Sequence, residues 1–344
     1  MTAKPSGGGP VATRLSFLAV CLAVALLVTM GSDSEPSTTG PASSTSGPTP
    51  PGGSSHAARS SVATFPTRQA EGVVYGEVVH RDGYREVPVS FPSASDGVTL
   101  SGVIHLPADS GTYPASVFVH GSGRNPRLRY SQLWASGFVS RGFAVLSYDK
   151  RGVGESGGRC CPQIMPQLGG DAMAAAAAAR GYLEIDPDRV GLTGVSQAGW
   201  IIPNAAARDP HIKFALIISG PTVSVGHENV YSDLTDERGC GAAGVSIAVA
   251  EEEISTMRPR GFDPAPDLHT MTQPGYWIFG LNDISVPINL SAAFLHELAA
   301  DGKPLTVRMY PGANHGMGTA PCRGGPSAPG WIEPMFEWLQ ANVG

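Results

Sequence analysis

Three residues have types and neighbours suited to nucleophilic catalysis: Ser196 in "GVSQAG" (194–199), Asp283 in "GLNDISVP" (280–287) and His315 in "PGANHG" (311–316). A serine hydroxyl is a weak nucleophile until a base takes its proton, and a neutral imidazole does this near neutral pH. His315 is the expected base, passing the proton on to the leaving group. Asp283 would fix the imidazole tautomer and stabilise the imidazolium. Gly194 and Ala198 flank Ser196 two places away on either side and are small enough for a tight strand-to-helix turn. Gly199 would let the helix pack against the strand. An oxyanion formed by attack on a carbonyl needs donors already aimed at it. The backbone N–H of Gln197, at a helix start, and that of Ser122, in "HGSG" (120–123), are the expected pair. His120 and Gly121 would support that loop, the ring of His120 in a structural role.

Taken singly, each residue has a plainer reading: a turn serine, an N-cap aspartate, a loop histidine. The elements that carry them decide. Segments 85–91 and 98–106 alternate apolar and polar residues, as half-buried strands do. Short apolar runs at 115–121, 143–149, 189–194, 214–219, 276–280 and 305–310 read as buried strands. Helical segments are expected at 130–141, 171–183, after Ser196 to about 209, at 289–300 and at 331–342. Such alternation predicts an α/β fold, a mostly parallel eight-stranded sheet with helices on both faces. Ser196, Asp283 and His315 then leave the carboxyl ends of three strands, where open sheets of this kind collect function. Asp149, Arg151 and Glu155 of "YDKRGVGESGG" (148–158) are expected to hold their turn by local hydrogen bonds and ion pairs.

With "HGSG", "YDKRGVGESGG", "GVSQAG", "GLNDISVP" and "PGANHG" in that order, the chain from about 73 to 344 resembles the α/β-hydrolase superfamily. It is similar to the dienelactone hydrolase, prolyl oligopeptidase and acyl-CoA thioesterase-like branches. Ala198 departs from the last glycine of G-x-S-x-G and still meets its steric demand. The resemblance implies an esterase-like acyl transfer through a covalent acyl-enzyme, with no cofactor, on a small-molecule ester or a short peptide. A serine aminopeptidase, a thioesterase and a non-catalytic binding protein of the same fold are the alternatives. The last should have lost one of the three residues, and all three are present.

A net charge of -6 offers no basic face for nucleic acid. Lys4 and Arg14 precede an apolar run from Leu15 to Met30, so residues 1–31 are expected to be an export signal or an uncleaved membrane anchor. Residues 32–70, rich in Ser, Thr, Gly and Pro, are expected to be a disordered tether before a hydrolase domain at 71–344. Residues 221–273 break the strand–helix rhythm and are expected to form a partial lid, with one helix at 246–257. On that helix Glu251, Glu252 and Glu253 read as a solvated face. Beyond Cys21 the cysteines are Cys160, Cys161, Cys240 and Cys322, and export suggests disulfides. A bond between neighbours is unfavourable, so Cys160 and Cys161 are each expected to reach one of Cys240 and Cys322. No acid or histidine lies near them at ligand spacing, and no metal site is expected.

Overall fold

The computed structural model describes residues 71–161 and 164–343; the expected export segment and the whole of the expected tether lie outside them. Strands β3 (Tyr84–Pro92) and β4 (Thr99–Pro107) keep the alternating burial that their sequences predict. By contrast, β5 (Tyr113–Val119), β6 (Ala144–Tyr148), β8 (Ala215–Ile218) and β9 (Gly275–Gly280) are buried almost throughout. Continuous apolar runs of this kind belong to parallel strands covered on both faces. With β7 (Ile185–Val195), the short β1 (Val74–Tyr75) and the edge strand β10 (Leu305–Tyr310) they form one sheet, in the order β1-β3-β4-β6-β5-β7-β8-β9-β10.

The sheet has ten strands, where the sequence predicts eight. The two additions, β1 (Val74–Tyr75) and β2 (Val79–Arg81), both pair antiparallel with β3 and are too short to show a period. β3, β4 and β6 are joined antiparallel, and every pairing from β6 through β5, β7, β8 and β9 to β10 is parallel. The loops after β5, β7, β9 and β10 therefore all open at one edge.

Alternate side chains of these strands feed two cores. Val117, Leu146, Leu192, Ile217 and Trp277 point to the face covered by α2 (Met165–Gly181), α3 (Ala198–Arg208) and α7 (Ile288–Ala300). Phe118, Val145, Leu216 and Ile278 point to the face covered by α1 (Leu128–Val139) and α8 (Ile332–Val343). The alanine run of α2 has a packing role: Ala175, Ala176, Ala178 and Ala179 are fully buried, so the helix lies close to its neighbours. This helix begins at Met165, ahead of its expected start, with Pro166 in its first turn.

The insert after β8 holds three helices, α4 (Val225–Leu234), α5 (Ile247–Ser255) and α6 (Ala265–Thr270), of which the sequence predicts the second. Tyr231, Ala250 and Ile254 form a small core of their own against Leu290 of α7. The solvated face expected for the glutamates holds for Glu252 and Glu253 but not for Glu251. Glu251 is buried and accepts from the backbone N–H of Asn289 (2.8 Å) and from its side-chain amide (2.7 Å). A carboxylate at the first turn of α7 meets donors that the helix cannot satisfy itself.

The expected disulfide pairing is corrected. Cys160 bonds to Cys161, and Cys240 bonds to Cys322 with their Cα atoms 5.0 Å apart. Glu237, three residues before Cys240, pairs with Arg323, next to Cys322, and accepts from Ser285 of the loop after β9. Those contacts bring Cys240 and Cys322 together and leave the adjacent pair only each other. We expect a non-reduced digest to yield the Cys240 and Cys322 peptides as one species. Closing a loop with a sequence separation of 82 restricts the unfolded chain, so Cys240→Ser should lower stability to urea by up to about 4 kcal/mol. Free thiols at both positions would contradict the pairing.

Candidate active site

Ser196 stands between the end of β7 and the start of α3 with φ of +54°. A non-glycine residue in the left-handed region costs roughly 1–3 kcal/mol and persists only where its surroundings impose it. Two backbone hydrogen bonds do so: Ser196 N–H donates to Ile218 O (2.9 Å) and Gly199 N–H donates to Ser196 O (2.8 Å). The turn is tight enough that a Cβ on Gly194 would collide with the Ala198 methyl and lie 2.7 Å from Val119 O. Both small residues are therefore required, as their spacing predicts. Gly199 has a different neighbour from the one expected. A Cβ there would lie 2.6 Å from the Pro221 backbone, so its smallness admits the chain leaving β8 and not the strand β7.

The "HGSG" loop leaves β5 beside this turn. A Cβ on Gly121 would be 3.5 Å from Ser196 Cβ, which puts Gly121 against the serine, with Ser122 next in the chain. Asn125 shapes the loop, its amide donating to Gly121 O (3.0 Å) and Ser122 O (2.7 Å). The His120 ring is buried, and its Nε2–H donates to Tyr148 O. Burial, with the Lys150 charge adding to it, pushes this imidazole down to about 3, so it is neutral and structural.

The turn after β6 is held over longer range than expected. Asp149 accepts from the Arg127 guanidinium (2.6 Å) and from the Glu155 N–H (3.0 Å). Glu155 reaches Arg127 at 2.7 Å. Arg151 is buried against Asp171 of α2, at 2.5 and 2.7 Å, and also meets Asp96.

Asp283 is fully buried in the turn after β9. Its Oδ1 accepts from the N–H groups of Ser285 (2.8 Å) and Val286 (3.0 Å), and its Oδ2 accepts from His315 Nδ1–H at 2.8 Å. A carboxylate acceptor places the imidazole proton on Nδ1, leaving Nε2 with the lone pair a base needs. The two loops are tied directly, Asn282 N–H donating to Ala313 O (2.8 Å). Buried Asn314 pins the histidine turn: its Oδ1 accepts from Gly316 N–H and Gly318 N–H, and its amide donates to Ala320 O (2.8 Å). Burial acts to lower the pKa of His315, but the charge and hydrogen bond of Asp283, with Glu237 and Glu228 adding, leave it above the ordinary imidazole value.

Among the residues at this site that escaped the sequence reading are Asn314, Tyr231 and Glu228. The Tyr231 hydroxyl donates to Asp283 O (2.8 Å), and Thr235 one turn on donates to Ile284 O (2.6 Å). Glu228 lies one turn before Tyr231 on α4 and is half-buried. Burial pushes its carboxyl up to about 7; the His315 charge acts the opposite way, and Asp283, Glu237 and Asp233 add to the rise. The available signal was Ser224, which caps α4 by accepting from the His227 N–H.

Activity that needs neutral His315 should fall as pH drops through a value above that of free imidazole. Ionised Glu228 holds the proton on His315. We therefore expect Glu228→Gln to move the acid limb of the kcat/KM profile to lower pH. An unmoved limb, or one moved upward, would contradict that coupling.

Residues 129–344 match the prolyl oligopeptidase family of peptidases. The quorum-quenching protein AidA of Acinetobacter baumannii is 28% identical over 239 residues, spanning 66% of this chain and 73% of its own length. An esterase of Pyrococcus furiosus superposes with a TM-score of 0.57 at 19% identity, covering 80% of this chain and 100% of that one. An acetyl xylan esterase from Paenibacillus sp. superposes with a TM-score of 0.54 at 20% identity, covering 81% of this chain and 90% of that one. At such identities the superpositions establish a shared α/β-hydrolase fold, and the family match extends over more than half of the chain. The chain belongs to the prolyl oligopeptidase family and is a serine hydrolase.

Proposed function

We propose that this serine hydrolase cleaves carboxylic esters of small molecules through an acyl-enzyme on Ser196. The observation that carries the reading is the hydrogen bond from His315 Nδ1–H to buried Asp283, on the same sheet edge as a serine held at positive φ. Ser196 Oγ attacks the ester carbonyl while His315 Nε2 takes the hydroxyl proton. The N–H groups of Gln197 and Ser122 receive the oxyanion, aided by the positive end of α3. Collapse of the tetrahedral intermediate expels the alcohol, which leaves with the proton from His315. Water, deprotonated by the same imidazole, then releases the acid.

The insert at 221–273 acts in this reading as a partial lid, supported by the docking of α4 on the Asp283 loop through Tyr231. Export through residues 1–31, with 32–70 as a tether to a membrane or cell wall, rests on the basic flank, the apolar run and the low-complexity segment. An aminopeptidase is the second reading. Its support is the family match together with Glu228, a half-buried carboxyl group coupled electrostatically to His315 and, when ionised, of the sign that would meet a substrate ammonium.

Substrate class is tested with p-nitrophenyl esters of increasing chain length beside aminoacyl p-nitroanilides. Ester turnover without anilide turnover is expected, and the reverse would favour the peptidase. Asp283→Asn removes the acceptor that sets the His315 tautomer, and kcat should fall by about 10⁴. A fall of less than tenfold would contradict the role given to Asp283.

A further inference from the structure

Lys150, the second residue after β6, is 3% exposed. Its ammonium donates to Gly121 O at 2.8 Å and to the side-chain Oε1 of Gln197 at 2.7 Å. No carboxylate lies within ion-pair distance of it among the described residues. Asp171, the acid whose charge it feels, is committed to Arg151 at 2.5 Å. Taking an ammonium out of water without a paired anion costs several kcal/mol, so its retention calls for a reason other than stability.

The two acceptors supply that reason. Gly121 O belongs to the peptide unit whose N–H is that of Ser122. In a trans peptide the C=O and N–H point in opposite directions. A cation fixed on the carbonyl therefore fixes the N–H the other way, and it also polarises the amide into a stronger donor. The second acceptor is the side chain of Gln197, the residue whose own N–H starts α3. One buried ammonium thus grips both loops from behind, one through a peptide unit and the other through a side chain.

We propose that Lys150 is a positioning residue that holds the N–H groups of Ser122 and Gln197 at the separation an oxyanion needs, with the oxyanion itself as the charge that compensates the ammonium. The proposal rests on the hydrolase reading of Ser196. It explains why a lysine, and not an uncharged donor, sits in "YDKRG" beside an arginine that already anchors the turn to α2. Gly121 O also accepts from the Asn125 amide, so the peptide unit that carries the Ser122 N–H is held through both lone pairs of its carbonyl. Burial pushes the ammonium down to about 8, with Asp171 opposing, and His120, which feels the Lys150 charge, is held neutral.

The test uses the full chain and two readouts that respond to the oxyanion: the acylation rate with p-nitrophenyl acetate and the affinity for an alkyl trifluoromethyl ketone. In the ketone complex Ser196 Oγ adds to the carbonyl carbon, its proton passes to His315, and the ketone oxygen becomes the bound oxyanion. Lys150→Met is expected to lower the acylation rate and the ketone affinity together, by about 10- to 100-fold, with KM changed less than about twofold. Gln197→Leu keeps the backbone N–H, removes the second tie and should reproduce part of the loss. The double variant should fall short of the product of the two losses, because both act on one contact. Should Lys150→Met fail to fold, Gln197→Leu decides alone.

A folded Lys150→Met with unchanged acylation and ketone affinity would overturn the proposal, as would equal losses in ketone affinity and in substrate binding. A fluorophosphonate probe separates the two levels. If it labels the wild type at Ser196, a negative result for Lys150 refutes the positioning role alone. If it does not, the hydrolase reading of Ser196 fails and the proposal with it.

Discussion

A carboxylate taken wholly out of water survives only where its lone pairs are met by donors, and the rest of this site is arranged around that demand at Asp283. Two of its donors come from its own turn and one from His315. The imidazole is therefore as much a structural partner of the acid as the acid is of the imidazole. For the pair to meet, the turns after β9 and β10 must approach, and Asn314 and the backbone bond from Asn282 to Ala313 hold them together. The insert contributes from the other side, where Tyr231 and Thr235 bond the carbonyls of Asp283 and Ile284. A segment that looks peripheral in sequence is thereby part of what orients the base.

A second constraint is steric. The serine turn is strained at one residue and crowded at two, and the strain is balanced by backbone bonds to β8 and within the turn. Because β8 supplies that bond, its exit must pass close to the start of α3, and Gly199 is what admits it. On the opposite side Lys150 and Asn125 act on the "HGSG" loop. The nucleophile turn is thus set by its two neighbouring strands as much as by its own sequence.

Much of this was legible in advance because it follows from period and order. The central strands are apolar throughout, the antiparallel pair alternates, and the small residues around Ser196 announce a tight turn. What escaped was long-range or aperiodic. β1 and β2 are too short to show a pattern. α4 carries Gly226 in its first turn and few apolar residues, yet it forms because Tyr231 finds a partner in the acid loop. Glu251 reads as solvated from its neighbours, Glu252 and Glu253, and only the position of α7 shows that it caps another helix. The cysteine pairing failed for a related reason: a rule against bonding neighbours cannot know that Glu237 draws Cys240 to Cys322.

The central claim is that Ser196 carries the acyl group during turnover. Acid quenching of the wild-type chain during steady-state hydrolysis of p-nitrophenyl acetate, followed by peptide mass spectrometry, tests it directly. The account predicts the added mass of one acetyl group on the peptide containing Ser196, and its absence in Ser196→Ala together with loss of hydrolysis. An unmodified Ser196 peptide in the turning-over wild type, or undiminished hydrolysis by Ser196→Ala, would contradict it.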